Sequence, residues 1–141
     1  MSNYFISHDK YAELCHKLLS TAEAKGIHYD GIICPLKGGF FLSYFMSRNL
    51  SLPIKYVEIS SYRGKSRGDF IIGDVPELES GRYLLCDDIY DSGETVRKIK
   101  EIFNNVIIDV YVLVSRKNLD EISAGEIIGS GDWVDFYWEH I

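Results

Sequence analysis

The stretch Leu84-Leu85-Cys86-Asp87-Asp88-Ile89-Tyr90-Asp91-Ser92-Gly93-Glu94-Thr95 decides how this chain is read. An apolar run ends in two adjacent carboxylates. A third carboxylate comes three residues after Asp88, and small residues then lead into a helix-like segment from Val96 to Phe103. A short, continuously apolar run closed by turn residues is the pattern of a strand buried on both faces. The residues beyond it have chemical uses. Ser92, Gly93 and Thr95 can wrap backbone N–H groups and hydroxyls around a phosphate at a helix N-terminus. Gly93 lets the backbone approach closely. Asp87 and Asp88 repel phosphate, but they accept hydrogen bonds from sugar hydroxyls or from water on Mg²⁺. The implied ligand has an anionic phosphate at one end and a diol at the other, as a sugar phosphate does. An acidic helix cap accounts for one or two of these residues. It leaves the paired carboxylates at the strand end unexplained.

On either side the chain alternates in the same way. Ser7 to Ala24 reads as a helix, with Tyr11, Leu14, Cys15, Leu18 and Leu19 at helical spacing and Gly26 as its stop. Gly31 to Cys34 is a buried strand closed by Pro35, and Phe40 to Asn49 a helix. Ile54 to Ile59 is a second strand, Tyr83 to Cys86 a third, Asp87 to Thr95 a turn, and Val106 to Val114 a fourth strand. Ser60 to Gly73 is polar, basic and glycine-bearing, which predicts a long loop or an irregular hairpin. The C-terminal third is less regular until Trp133 to Trp138, a final strand or hairpin arm. Apolar strands alternating with helices predict an α/β fold with a parallel sheet covered on both faces, and one domain over residues 1–141. Ligands of such sheets bind beyond the carboxyl ends of the strands.

Composition narrows the function classes. The chain has 141 residues, 46% hydrophobic, and a formal net charge of −6, which argues against disorder and against a broad nucleic-acid-binding face. The longest apolar runs fall well short of the ~20 residues that span a bilayer. The start, MSNYFISHDK, lacks the basic-then-apolar design of a secretory leader, so a cytoplasmic location is expected. Three scattered cysteines without a C-x-x-C pair, and four histidines without ligand spacing, predict neither a disulfide framework nor a zinc site.

The turn at Asp87–Thr95 strongly resembles the signature of the type I phosphoribosyltransferases: an apolar strand, two acidic residues, two apolar residues, then a phosphate loop. It departs at Tyr90, where that family usually has an aliphatic residue. The resemblance runs through nearly the whole chain and is greatest to the small bacterial xanthine–guanine and hypoxanthine enzymes. Leu36-Lys37-Gly38-Gly39 looks like their pyrophosphate loop, in which a cis peptide between the residues matching Leu36 and Lys37 is common. Ser61-Tyr62-Arg63 looks like the start of their mobile loop. Trp133-Val134-Asp135-Phe136-Tyr137-Trp138-Glu139 looks like their base-binding tail, with Tyr137 in the place of a proline.

The resemblance implies a parallel-sheet-based phosphoribosyltransferase fold with a small C-terminal base-binding hood. It implies a magnesium-dependent transfer from 5-phosphoribosyl-1-pyrophosphate to a 6-oxopurine (guanine, xanthine or hypoxanthine), by a homodimer or homotetramer in purine salvage. Asp87 and Asp88 would hold the ribose diol and the Mg²⁺ water shell, and Asp91 to Thr95, including Ser92, Gly93 and Glu94, the 5′-phosphate. Lys37 would meet pyrophosphate, and Asp91 would take the proton of the base's imidazole ring. Arg116 and Lys117 compete as the donor to the exocyclic oxygen of the base, and Trp133 and Val134 would contact the base. Two other readings stand beside this one: a non-catalytic sensor of phosphoribosyl pyrophosphate on the same fold, and transfer to a different base.

Overall fold

The computed structural model describes residues 3–61, 70–129 and 131–141. Its elements run β1 (Asn3–Ile6), α1 (His8–Lys25), β2 (Gly31–Leu36), α2 (Phe40–Leu50), β3 (Ile54–Ser61), β4 (Phe70–Ile72), β5 (Arg82–Tyr90), α3 (Glu94–Ile102), β6 (Ile107–Ser115), β7 (Ile122–Ile127) and β8 (Trp133–Phe136), then a 3₁₀ turn at Tyr137–His140. Six strands form one sheet in the order β4-β3-β2-β5-β6-β7, parallel throughout except for the antiparallel edge strand β4. β1 and β8 form a separate parallel pair.

Strand pleating divides the core in two, because successive side chains point to opposite faces. Ile32, Leu84, Cys86, Tyr111 and Leu113 face one side, where Leu14, Cys15 and Leu18 of α1 and Leu42 and Met46 of α2 cover them. Ile33, Leu85, Val110 and Val112 face the other, under Val96, Ile99 and Phe103 near α3. The expected α/β architecture is therefore the observed one. Helix α1 begins where Ser7 accepts a hydrogen bond from the Lys10 N–H at 3.1 Å and ends at Gly26, whose φ of 62° places it in the left-handed region.

Three expectations need correction. β5 continues through Tyr90 rather than turning at Asp87, because β6 stays paired with it as far as Tyr90↔Ser115. The C-terminal third is more regular than its sequence suggests, since Ile122–Ile127 adds a sixth strand to the sheet. Asn3–Ile6, read without structure, is the partner of the tail: Asn3 pairs with Trp133 and Ile6 with Phe136.

Candidate active site

The sheet order places a topological switch at its centre. From β2 the chain crosses through α2 to β3 on one side, and from β5 it crosses through α3 to β6 on the other. The loops leaving the carboxyl ends of β2 and β5 therefore diverge and leave a crevice between them. Leu36-Lys37-Gly38-Gly39 leaves β2, with a cis peptide between Leu36 and Lys37. Asp87-Asp88 lies on β5 near its carboxyl end. The two meet: a Cβ on Gly38 would lie 2.7 and 2.8 Å from the carboxylate oxygens of Asp88, and one on Gly39 would strike the Cys86 carbonyl. Gly39 is required by close packing against the β5 backbone, whereas Gly38 lies against the Asp88 side chain. Gly39 N–H donates to Pro35 O at 2.8 Å, and Phe40 N–H to Lys37 O at 3.1 Å, which closes the turn. The Lys37 side chain is exposed and lines a cavity of about 480 Å³ with Leu36, Glu58, Ser60 and Gly73.

The two acidic side chains are held by their own backbone. Asp87 Oδ1 accepts from the Asp88 N–H at 2.9 Å, and Asp88 Oδ1 from the Ile89 N–H at 2.7 Å. Burial pushes the Asp87 carboxyl well above its ordinary 3.8, and the charge of Asp88 adds to the rise. Asp88 is also raised, by burial first, with the charge of Glu139 adding to it. Among the described residues neither has a lysine or arginine ion-pair partner. Two adjacent hard oxygen donors short of positive charge fit a divalent cation such as Mg²⁺. Among the described residues no group of three or more His, Cys, Asp or Glu could hold a metal. Such a cation would draw its other ligands from water and substrate.

Beyond them the chain turns into α3. Gly93 sits at the helix N-cap with φ 85°, Ser92 Oγ accepts from the Glu94 N–H at 3.4 Å, and Arg97 N–H returns to Gly93 O at 3.0 Å. Asp87 and Tyr90 to Thr95 line a cavity of about 80 Å³ here. The free N–H groups of a helix start make such a cradle suited to an anion.

Acidic pair, glycine turn and helix-start loop thus share one crevice. The phosphoribosyl transferase domain family matches residues 5–121. This chain belongs to that family. It is an enzyme of the pentosyltransferase class. Xanthine-guanine phosphoribosyltransferase of Vibrio vulnificus (strain YJ016) is 29% identical over 144 residues, covering 99% of this chain and 91% of the relative. Among solved structures, Helicobacter pylori xanthine-guanine-hypoxanthine phosphoribosyltransferase superposes with a TM-score of 0.79 at 20% identity, covering 97% of this chain and 94% of that one. Purine phosphoribosyltransferase from Pyrococcus horikoshii Ot3 gives 0.78 at 20% identity, covering 98% and 95%. At that identity the structures establish the type I phosphoribosyltransferase fold.

The remaining sites expected of the family lie around this crevice in part. Asp91 is exposed, and Arg116 Nε approaches its Oδ1 to 3.5 Å. Arg116 also donates through Nη1 to Gly129 O at 3.0 Å and through its backbone N–H to Tyr90 O at 2.9 Å. Lys117 is exposed, and its N–H donates to Ser115 Oγ at 3.1 Å. Of the two competing cations, Arg116 is the one set beside Asp91. Trp133 projects from the β1–β8 pair and is 66% exposed, whereas the Val134 side chain is buried in the core. Ser61 ends β3, while Tyr62 and Arg63 lie outside the described residues.

The tail is fastened by stacking. Trp138 lies parallel to Phe41 at 4.0 Å and to Phe136 at 4.4 Å, and Tyr137 packs edge-on to His8 at 5.3 Å. Glu139 Oε1 accepts from the Phe136 N–H at 3.0 Å. Its charge also acts on Asp88, which brings the end of the tail into the electrostatic surroundings of the acidic pair. Sequence reasoning did not find this approach, nor the Arg116 bridge to Gly129. Both join residues far apart in the chain, and no local spacing signals them.

Proposed function

We propose that this enzyme transfers the 5-phosphoribosyl group of 5-phosphoribosyl-1-pyrophosphate to a 6-oxopurine: guanine, xanthine or hypoxanthine. The products are the nucleoside monophosphate and pyrophosphate, and the role is purine salvage, in the cytoplasm, by a homodimer or homotetramer with residues 1–141 acting as one domain. The observation that carries the reading is the meeting of three elements at the sheet's switch point: the Leu36–Gly39 turn, the Asp87–Asp88 pair and the Asp91–Thr95 cradle. A ligand with pyrophosphate, a diol and a second phosphate needs these three. The names of the relatives, xanthine-guanine phosphoribosyltransferases, support the choice of base.

The roles follow from the chemistry. Asp87 and Asp88 accept the ribose hydroxyls and hold the water shell of Mg²⁺, which when bound neutralises the departing pyrophosphate. Lys37 and the backbone of Gly38 and Gly39 face the same polyanion. Ser92, Gly93, Glu94 and Thr95 hold the 5′-phosphate through their N–H groups and the two hydroxyls. Asp91 accepts the imidazole proton of the base as the glycosidic bond forms. Arg116 donates to the exocyclic oxygen, a preference that rejects adenine, and Trp133 stacks on the base.

A panel of nucleobases with the phosphoribosyl donor and Mg²⁺, read by chromatography for nucleotide, tests this. Product from guanine, xanthine or hypoxanthine and none from adenine or the pyrimidines is the expected result. Product only from another base would move the specificity. Donor binding without product from any base would leave a sensor on the same fold.

A further inference from the structure

Tyr90 is the one residue at which the Asp87–Thr95 turn departs from the pattern it resembles, and the catalytic roles above do not use it. An aliphatic side chain would fill the same space beneath the loop. A phenol adds an oxygen, and its position is fixed by the fold. The Tyr90 backbone is held by pairing with Ser115 and by the bond from Arg116 N–H to its carbonyl at 2.9 Å. The ring packs at the edge of the core under α3. This carries the hydroxyl up to the phosphate loop: a Cβ on Gly93 would fall on the Tyr90 hydroxyl, and would stand 2.9 Å from the ring carbon that bears it. Gly93 is thus required twice, by its φ of 85° and by the tyrosine beside it.

Tyr90 lines the cavity of about 80 Å³ that the loop encloses. It also lines an adjoining one of about 390 Å³, which shares Ser92 and Gly93 and is flanked by Arg97 and Lys100. Among the described residues the hydroxyl has no hydrogen-bond partner. The loop it faces has an uneven charge. Asp91 and Glu94 are acidic, and no residue from Asp91 to Thr95 is basic. A phosphate dianion in that cradle relies on neutral donors, and each further donor to a charged acceptor counts. A hydroxyl turns freely about its C–O bond and can aim its hydrogen at the anion without moving the ring.

We infer that the Tyr90 hydroxyl is an additional ligand of the 5′-phosphate, making the phenol part of the phosphate cradle. The inference rests on the reading of Asp91–Thr95 as the phosphate loop given above. Its consequence is selective. Ligands that carry the sugar 5′-phosphate lose a contact when the oxygen is removed, and pyrophosphate, held at the opposite side of the crevice, loses none.

Calorimetric titration of the purified protein in Mg²⁺ with ribose 5-phosphate and, separately, with pyrophosphate tests this. The chains compared are the wild type, Tyr90→Phe, Tyr90→Leu and Thr95→Ala, with a thermal melt of each to report folding. Tyr90→Phe keeps the ring and is expected to bind ribose 5-phosphate about 10- to 140-fold more weakly, the range of one hydrogen bond to a charged group, with pyrophosphate affinity unchanged. Tyr90→Leu should show at least the same loss. Wild-type affinity in Tyr90→Phe alongside a loss in Thr95→Ala would overturn the role of Tyr90 and leave the loop standing. An equal loss of both ligands in Tyr90→Phe would also overturn it, since the tyrosine would then act through the fold. Failure of the wild type to bind ribose 5-phosphate, or wild-type affinity in Thr95→Ala, would overturn the loop reading and this inference with it.

Discussion

At the scale of single residues, the site is built from groups whose neighbours permit no easy replacement. The two glycines of the β2 turn differ in what they press against. A methyl on Gly38 meets the Asp88 carboxylate, a side chain that can swing aside. A methyl on Gly39 meets the Cys86 carbonyl and Pro35, which cannot. Gly38→Ala should therefore raise KM for the phosphoribosyl donor with little change in melting temperature. Gly39→Ala should cost about 1–3 kcal/mol of stability, as overpacking does, read by urea unfolding. Equal losses of stability in the two would show that the crevice is not shaped by these contacts. Asp91 differs from both. It is exposed and its neighbour Arg116 stands 3.5 Å away, so Asp91→Asn should leave the fold intact. If it is the general base, the substitution lowers kcat about 10²- to 10⁴-fold with a smaller change in KM for the donor. Wild-type turnover in a steady-state assay would remove it from that role.

At the scale of elements, the tail depends on aromatic stacking. Trp138 lies between Phe41 at the start of α2 and Phe136 at the end of β8. It therefore joins the β1–β8 pair to the helix that follows the Leu36–Gly39 turn. Trp138→Ala should cost about 3–5 kcal/mol in urea unfolding. It should also raise KM for the base more than KM for the donor, because β8 carries Trp133 and the acidic crevice is built by β2 and β5. A larger effect on the donor would mean that the tail supports the phosphate side instead. The same elements show which parts of the fold were legible from sequence. Strands β2, β5 and β6 carry continuously apolar central runs, Ile32–Cys34, Tyr83–Cys86 and Val110–Val114, because both faces are covered there, and a local window reveals them. β7 contains Gly125 and Glu126 and looks like a loop. Its glycine is there because the β6 backbone and α1 both press on it: a Cβ would stand 2.7 Å from Leu113 O and 3.0 Å from Leu14 Cδ2. β1 exists through its pairing with residues at the other end of the chain, so no window around it carries the signal. The site follows the same rule. The turns after β2 and β5 are contiguous and were readable, whereas the approach of Glu139 to Asp88 and of Arg116 to Gly129 needed the fold.

At the scale of the whole molecule, the acidic crevice sets how stability varies with pH. Stability rises with pH where the unfolded chain binds more protons than the folded one, and falls where it binds fewer. Asp109 belongs to the first case. Burial works to raise its carboxyl, but hydrogen bonds from Arg82 and the Tyr29 hydroxyl outweigh this and hold it below 3.8. Its contribution is present above that value and is lost as pH falls through the folded one. Asp87 and Asp88 belong to the second case. Burial raises both above 3.8, so from there upward the folded chain keeps protons that the unfolded chain has released. Their contribution is full below 3.8 and is lost as pH rises through the folded values, after which two neighbouring charges stand in the crevice. Metal-free protein should accordingly lose melting temperature as pH rises from 3.8 through the raised folded values of the two carboxyls. Asp87→Asn keeps an oxygen for the Asp88 N–H and removes one charge, so it should flatten that slope and melt higher than the wild type at about pH 8. Mg²⁺ should raise the wild-type melting temperature more at about pH 8 than at about pH 5, and should do little for Asp88→Asn at either pH. Calorimetric melts with EDTA or with Mg²⁺ separate these cases. A wild-type slope that Asp87→Asn leaves unchanged would place the pH dependence elsewhere. A Mg²⁺ effect that survives Asp88→Asn would place the cation outside this crevice.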